Sequence, residues 1–151
     1  MQLDDAATIL SRADFFSICD AEQRRLLAFA GERKRFRPSA TIYKAGDVPE
    51  GAHVLVSGTV ATTHEGQEEN PFLVHEPGAV LGTMALVVAK PRPVTLKAVD
   101  SVETLFVPRS AFMKLVNQYP DLARRAADRI RRDLTGYLDN IETMKQRIRG
   151  S

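Results

Sequence analysis

Short runs of β-prone residues, separated by turn residues, fill the middle of the chain from Glu32 to Val107. The turn signals are Pro38-Ser39, Gly46-Asp47, Gly58, Glu65-Gly66, Pro77-Gly78 and Asp100-Ser101. Such punctuation at short spacing is typical of antiparallel sandwiches and barrels. The predicted strands are 33–37, 40–44, 52–57, 59–64, 72–76, 94–99 and 102–107. The pattern therefore predicts a mainly β fold with flanking helices, an antiparallel sandwich or barrel.

Helical patterns flank this region on its N-terminal side. Residues 4–13 are acidic at the start and then apolar at helical spacing, which predicts a short leading helix. Asp20 and Gln23 have the spacing of a capping box, and the helix that they open should end at Gly31. We expect Arg24 and Arg25 to face solvent. The side chains expected to be buried are Leu26, Leu27, Phe29 and Ala30.

On the C-terminal side, the sequence after Pro108 predicts a short helix over 109–117. Pro120-Asp121 then begins a long helix that should run to about Ile148. At 151 residues and 44% hydrophobic content, the chain suits one globular domain. We predict a single domain over 1–151, with a helix and β-roll in 14–107 and C-terminal helices in 108–148.

The stretch from residue 82 to residue 95 combines features that favour an anion pocket. Gly82 lets backbone come close to a ligand, and the residues after it can form one helical turn. The free N–H groups of a first helical turn carry partial positive charge, and the Arg92 guanidinium offers a planar fork of donors. We therefore predict that residues at the two ends of this stretch hold one phosphate.

The same stretch resembles the phosphate-binding cassette of the cyclic nucleotide-binding domain family. That cassette reads roughly Phe-Gly-Glu-Leu-Ala-Leu, a short spacer, then Pro-Arg-Ala-Ala-Thr, and residues 81–86 and 91–95 fall in this register without a gap. The upstream glycine pattern of the family is similar to residues 42–47 and 53–60. The resemblance covers roughly residues 14–135. It implies an antiparallel β-roll or jelly-roll sandwich of about eight strands in two sheets.

The resemblance also implies a ligand and its contacts. In the family, the cassette Glu binds the ribose hydroxyl, the Arg pairs with the cyclic phosphate, and backbone N–H groups after the Gly and the Arg assist. The corresponding positions are Gly82, Thr83, Met84, Ala85, Arg92, Pro93 and Val94. Thr83 is shorter than Glu and uncharged, and Pro93 has no N–H to donate. These departures predict that cAMP or cGMP binds weakly, with a loss on the order of a hundredfold or more.

Composition narrows the kind of protein further. Lys and Arg total 21 against 19 Asp and Glu, and a net charge of +2 does not by itself indicate a nucleic-acid or membrane surface. The single cysteine, Cys19, excludes an internal disulfide and a multi-cysteine metal cluster within one chain. Neither a signal-peptide pattern nor a run of about 18 apolar residues occurs. We predict a soluble, cytoplasmic protein.

Metal binding and catalysis have little support in the sequence. His53, His64 and His75 are eleven residues apart on predicted strands, but no cluster of Cys, Asp or Glu accompanies them. Ser57 and Ser110 lack the setting of a nucleophile elbow. We predict no metal ligands, no catalytic residues and no enzyme activity.

The long C-terminal helix carries an apolar seam that predicts a homodimer. Its members alternate steps of four and three, as in the a and d positions of a coiled coil. They are Ala123, Ala127, Ile130, Leu134, Tyr137, Ile141, Met144 and Ile148. Gly136 opposes the helix by about 1 kcal/mol relative to Ala. A helix of roughly 40 Å is too long for one barrel to cover, which favours pairing through 121–148.

Three functions are compatible with these patterns. The leading hypothesis is a dimeric regulatory or sensor module with weak or altered cyclic nucleotide specificity, acting on an effector. No helix-turn-helix follows the long helix, so the effector is either a separate protein or a missing DNA-binding domain of a transcription regulator. The second hypothesis is a ligand-free interaction scaffold, which Thr83 and Pro93 favour. Direct nucleic-acid binding through the arginines of 124–132 is disfavoured, because Asp121, Asp128 and Asp133 interleave with them.

The predicted seam can be tested by one substitution. Leu134→Asp should convert the homodimer to monomers, because a charge at the seam would be buried without a partner. Sedimentation measures this directly. A monomer already present in the unmodified protein at high micromolar concentration would show that the seam prediction is wrong.

Overall fold

Two four-stranded antiparallel sheets form the centre of the fold in a computed structural model, which describes residues 3–64, 66 and 68–133. The strands are β1 (Glu32–Phe36), β2 (Thr41–Tyr43), β3 (Gly51–Ser57), β4 (Val60–His64), β5 (Phe72–Val74), β6 (Val80–Leu81), β7 (Val94–Ala98) and β8 (Val102–Pro108). One sheet has the order β1-β8-β3-β6 and the other β2-β7-β4-β5. The mainly β fold and its two antiparallel sheets are thereby confirmed.

Strand β6 is absent from the predicted set. Its two residues, Val80 and Leu81, pair with Val54 and His53 of β3. Two residues are too few to show an alternation of apolar and polar side chains, so only tertiary pairing identifies them as a strand. They lead directly into the turn at Gly82.

Strands β3 and β8 lie in the middle of the first sheet and are covered on both faces. Val54 and Leu105 pack with side chains of the helices, whereas Leu55 and Val102 pack with side chains of the second sheet. Successive side chains of a strand point to opposite faces, so a strand covered on both sides needs an almost continuous apolar run. This explains why residues 51–55 are all buried.

The helices cover the outer face of the first sheet. They are α1 (Leu3–Arg12), a first 3₁₀ helix (Asp14–Ile18), α2 (Ala21–Ala30), a second 3₁₀ helix (Thr83–Leu86), α3 (Arg109–Gln118) and α4, which begins at residue 120 and is described through residue 133. The capping box of α2 is present: Gln23 N–H donates to Asp20 Oδ1 at 2.8 Å, and Asp20 N–H donates to Gln23 Oε1 at 3.0 Å. The predicted starts of α2 and α4 agree with the structure.

The buried face of α2 differs from the prediction. The side chains that α2 buries are Gln23, Leu27 and Ala28. Leu26 is 45% exposed, Phe29 is 82% exposed, and Ala30 is also exposed. Phe29 lies about 120° around the helix from Gln23 and so points away from the buried side. Leu26 and Ala30 are three and seven residues from Gln23, so the turn angle of the helix does not exclude them from that side, and their exposure follows from the packing around α2. Hydrophobicity alone suggests a wider buried face than the packing provides.

Arginine side chains hold the first 3₁₀ helix in place. They donate to its main-chain carbonyls: Arg24 to those of Phe16 and Cys19, Arg125 to that of Ile18 and Arg129 to that of Asp14. The carbonyls of Ile18 and Cys19 lie at the end of this short helix, where the helix itself offers no donor, so Arg125 and Arg24 supply one. The Phe16 carbonyl also accepts from the Cys19 N–H. Arg24 is consequently half-buried, contrary to the expectation that it faces solvent.

The described part of α4 packs onto the helical core through Leu122 and Ala126, which are both buried. Among the predicted seam positions, Ala127 is exposed and Ile130 packs partly against the same core. The seam therefore begins beside the inward face of α4. The seam positions from Leu134 onward lie outside the described residues, so the dimerisation helix stays a prediction.

His53 is a buried polar side chain on the inner face of the first sheet. It is 6% exposed, its Nδ1 lies 2.8 Å from Thr104 Oγ1, and its ring contacts those of Phe36 and Phe106. Burial, together with the smaller effect of the Lys34 charge, lowers the pKa of His53 from 6.5 to about 4. Within the part of the chain that the structure describes, no three His, Cys, Asp or Glu side chains form a candidate metal site.

The depressed pKa of His53 predicts a loss of stability in mild acid. The folded protein keeps this imidazole neutral down to a pH of about 4, whereas the unfolded chain protonates it from about pH 6.5 downward. The free energy of unfolding should therefore fall by on the order of 3 kcal/mol as the pH drops through this window. In urea titrations between pH 6.5 and about pH 4, His53→Gln should no longer show this fall in the free energy of unfolding. His75→Gln, at an exposed position, should retain it; equal pH profiles for both variants would refute the assignment.

Candidate phosphate-binding cassette

A left-handed turn at Gly82 begins the cassette. Gly82 has φ 79° and ψ 45°, a conformation that favours glycine, and it immediately precedes the second 3₁₀ helix. The Ala85 N–H donates to the Gly82 carbonyl at 2.9 Å. This amide closes the turn, so the structure uses it internally.

The other predicted ligand positions divide into supporting and accessible residues. Ala85 and Val94 are buried, Thr83 and Arg92 are half-buried, and Met84 and Pro93 are exposed. Val94 packs with the core between the two sheets, whereas Ala85 is buried in the second 3₁₀ helix. The side chains of Ala85 and Val94 therefore pack inside the protein, and their role at a ligand stays a prediction.

The turn of residues 44–47 fixes the main chain of Arg92. Gly46 N–H donates to the Arg92 carbonyl at 2.8 Å, and Arg92 N–H donates to the Asp47 carbonyl at 2.9 Å. The turn itself is closed by Asp47, whose Oδ2 accepts from Lys44 N–H at 3.0 Å. Arg92 therefore has a defined position even though its neighbour is an exposed proline.

The Arg92 side chain contains a donor without an acceptor. Its Nε is buried and has no hydrogen-bond partner among the described residues. A buried donor left unpaired costs roughly 1–3 kcal/mol, and the cost is greater when the group is charged. Because a guanidinium can only donate, the group that would satisfy Nε must offer an acceptor, as an anion does.

Tyr43 is a site residue that the sequence pattern does not reveal. A Cβ built on Gly82 would lie 3.5 Å from Tyr43 Oη, and the Arg92 guanidinium lies close enough to the same hydroxyl to act on its pKa. Burial raises the pKa of Tyr43, while the Arg92 guanidinium opposes that rise. The structure thus brings Gly82 and Arg92 together around one buried phenol.

A second residue outside the prediction, Arg109, connects the cassette to α3. Its guanidinium donates to the carbonyls of Pro49 at 2.9 Å, Ala85 at 3.0 Å and Val88 at 3.4 Å. Leu86 adds an apolar connection, because it is fully buried in the cluster that includes Phe112 of α3. Position 109 is recognisable in the sequence only as the first residue of a helix, and nothing there indicates which carbonyls it reaches.

Comparison with known sequences settles the family. The sequence family described as the cyclic nucleotide-binding domain matches residues 33–119, which include both sheets and the cassette. The chain belongs to the cyclic nucleotide-binding domain family. A solved structure of a cyclic nucleotide-binding-like protein from Brucella abortus agrees: it is 32% identical, with a TM-score of 0.63, and the match covers 76% of this chain and 99% of that one.

Other members of the cyclic nucleotide-binding domain family belong to longer proteins. A cAMP-dependent protein kinase regulatory subunit from Colletotrichum orbiculare is 29% identical over 68% of this chain and 26% of its own length. A lysophospholipase from Emericella nidulans is 25% identical over 76% of this chain and 8% of its own length. The matched part of the chain therefore spans only 26% and 8% of these two relatives. Since one of them is named as an enzyme, the family alone does not decide whether a member has catalytic activity.

The Arg109 contacts predict that this residue stabilises the cassette. Arg109→Ala should lower the free energy of unfolding by about 1.5–3 kcal/mol, because three carbonyls lose a charged donor. Amide hydrogen exchange should also accelerate in residues 83–88. Arg124→Ala is a matched control, since Arg124 is 74% exposed and its pairing with Asp121 should contribute little. Similar exchange in the cassette of both variants would contradict a stabilising role for Arg109.

Proposed function

We propose that this protein is a regulatory module whose cassette binds an oxyanion, with weak or altered specificity for cyclic nucleotides. The observation that carries the proposal is the buried, unpartnered Nε of Arg92 beside the left-handed turn at Gly82. Family membership supports a nucleotide-like ligand, and the kinase regulatory subunit and the Brucella protein are named for cAMP or cyclic nucleotides.

The altered specificity follows from which donors and acceptors are present. Thr83 replaces the carboxylate that would accept from a ribose hydroxyl, and Pro93 removes a backbone donor. The Ala85 N–H is already used in the turn. The phosphate-binding part of the site thus keeps its charged residue, whereas the ribose-binding part has lost its acceptor.

A conformational change caused by ligand binding at the cassette would be transmitted to the helices through two contacts. The Arg109 guanidinium ties the carbonyls of Ala85 and Val88 to the start of α3, and Leu86 lies in the same apolar cluster as Phe112. A ligand that shifts Arg92 and the turn at Gly82 would change the position of these groups relative to α3. We propose that the 121–148 helix passes this change across a homodimer to an effector protein.

The proposed module acts by binding and not by catalysis. Similarity to the lysophospholipase covers 8% of that protein and so gives no support for an esterase site here. Among the described residues, no helix is long and apolar enough to cross a membrane. We propose a cytoplasmic location, and a protein effector in preference to a nucleic acid, since the arginines of α4 interleave with acids.

Restoring the family pattern should strengthen cyclic nucleotide binding. Thr83→Glu with Pro93→Ala supplies a ribose acceptor and returns a phosphate donor, so the affinity for cAMP or cGMP should rise on the order of a hundredfold. Arg92→Ala added to this double variant should abolish the gain, because the phosphate loses its charged partner. Calorimetry with cAMP and cGMP measures all three proteins.

Lys90→Ala in the same double variant is the matched control for charge. Lys90 is an exposed cation of the same loop, so its removal should leave most of the gain intact. Tight binding of cAMP by the unmodified protein would show that Thr83 and Pro93 are tolerated. A double variant that remains inert would favour the ligand-free scaffold.

A further inference from the structure

The Tyr43 side chain occupies the space between the two ends of the cassette. It is 7% exposed and packs in the core between the sheets with Leu81 and Val94, the residues that lead into Gly82 and follow Pro93. Its hydroxyl faces Gly82 on one side and the Arg92 guanidinium on the other.

Tyr43 and Arg92 are carried by one hydrogen-bonded unit. Residues 44–47 follow Tyr43 directly, and this turn exchanges two main-chain hydrogen bonds with Arg92 through Gly46 and Asp47. Ala45 N–H also donates to Thr95 Oγ1 at 2.9 Å. The relative position of the phenol and the guanidinium is therefore set by the backbone. The Cα atoms from which the two side chains extend are thus fixed relative to each other without a ligand.

The hydrogen-bond inventory of the pair leaves two donors available. A guanidinium has no acceptor, so where the two side chains meet only Arg92 can donate and only the Tyr43 oxygen can accept. The hydroxyl hydrogen of Tyr43 must then find an acceptor elsewhere. Arg92 Nε is also buried without an acceptor. Buried donors are rarely left unpaired, and an unpaired Arg92 Nε beside a phenol hydroxyl fits a ligand that carries several acceptor oxygens.

We propose that the Tyr43 hydroxyl donates a hydrogen bond to the bound oxyanion and replaces the backbone donor that Pro93 lacks. This assignment rests on the proposed oxyanion site at the cassette and adds a specificity-determining residue to it. The ligand class is a phosphate oxyanion, either a phosphodiester such as a cyclic nucleotide or free phosphate. Arg92 supplies the charge, and Tyr43 supplies a neutral donor at a fixed position.

The protonation state of the phenol agrees with a donor role. Burial raises the pKa of Tyr43, and the nearby Arg92 charge reduces that rise. A pKa above the ordinary value for tyrosine keeps the hydroxyl protonated throughout the physiological range. A neutral phenol next to a guanidinium attracts an anion and does not repel it.

Calorimetric titration of Tyr43→Phe tests the proposal with two probes, cAMP and inorganic phosphate. The variant removes one donor and keeps the ring, so the dissociation constant for each probe that binds should rise about tenfold. Binding of cAMP alone would assign the phosphodiester as the ligand, and binding of both would show that the phosphate group suffices. Tyr119→Phe, at the opposite end of α3 from Arg109, should leave both constants unchanged.

Measuring Tyr43→Phe in a Pro93→Ala protein tests whether the Tyr43 hydroxyl is a donor to the ligand or whether the phenol only supports the structure. Because the restored N–H at position 93 duplicates the hydroxyl, Tyr43→Phe should cost less there, about threefold or below. An unchanged or tightened affinity in Tyr43→Phe, with Arg92→Ala still abolishing binding, would overturn the role of Tyr43 and leave the oxyanion site standing. An equal loss in both backgrounds would also overturn it. Failure of the unmodified protein to bind either probe at millimolar concentration would overturn both assignments.

Discussion

The burial of β3 and β8 on both faces is the constraint on which the rest of the structure depends. One face of their sheet is covered by the helices and the other by the second sheet, which creates two apolar clusters separated by a single layer of backbone. Interior side chains pack closely, so a shift in one layer is resisted by the next. The second sheet and the helices have no large apolar surface in common. The second sheet and the helices therefore affect each other's packing mainly through the central sheet.

The cassette is placed where these two clusters meet. It leaves the central sheet after β6, contributes Leu86 to the helical cluster, and returns to the second sheet with Val94. Arg92 is fixed on the side of the second sheet by the turn of residues 44–47, and Arg109 fixes the other part from α3. A short segment bound at both ends to different layers is suited to a regulatory role. Its conformation has consequences for both layers.

Patterns that depend on local physics could be predicted from the sequence. The capping box at Asp20 and Gln23, the turns between strands and the start of α4 each depend on a few neighbouring residues, and the structure has them where expected. The family resemblance predicted the two sheets and the register of the cassette. The exposure of Phe29 could not be predicted, because both faces of α2 contain apolar residues and only tertiary packing selects one.

The residues that complete the candidate site were hidden for a related reason. The pairing of β2 with β7 shifts register between Thr41 and Tyr43, which pair with Lys97 and Leu96. Such a bulge breaks the simple alternation from which the inward side of a strand is inferred. The direction of the Tyr43 side chain therefore could not be inferred from its position in the sequence. Long-range contacts such as those of Arg109 leave no local pattern at all.

The arginine contacts around the first 3₁₀ helix have a consequence for how the protein is made. Carbonyls of residues 14–18 receive donors from Arg125 and Arg129, which lie more than a hundred residues later in the chain. During translation the N-terminal helices leave the ribosome well before these partners exist, so the carbonyls stay hydrated until α4 has emerged. Docking of α4 then expels that water. The N-terminal layer reaches its final form only after the sheets and the cassette have been synthesised.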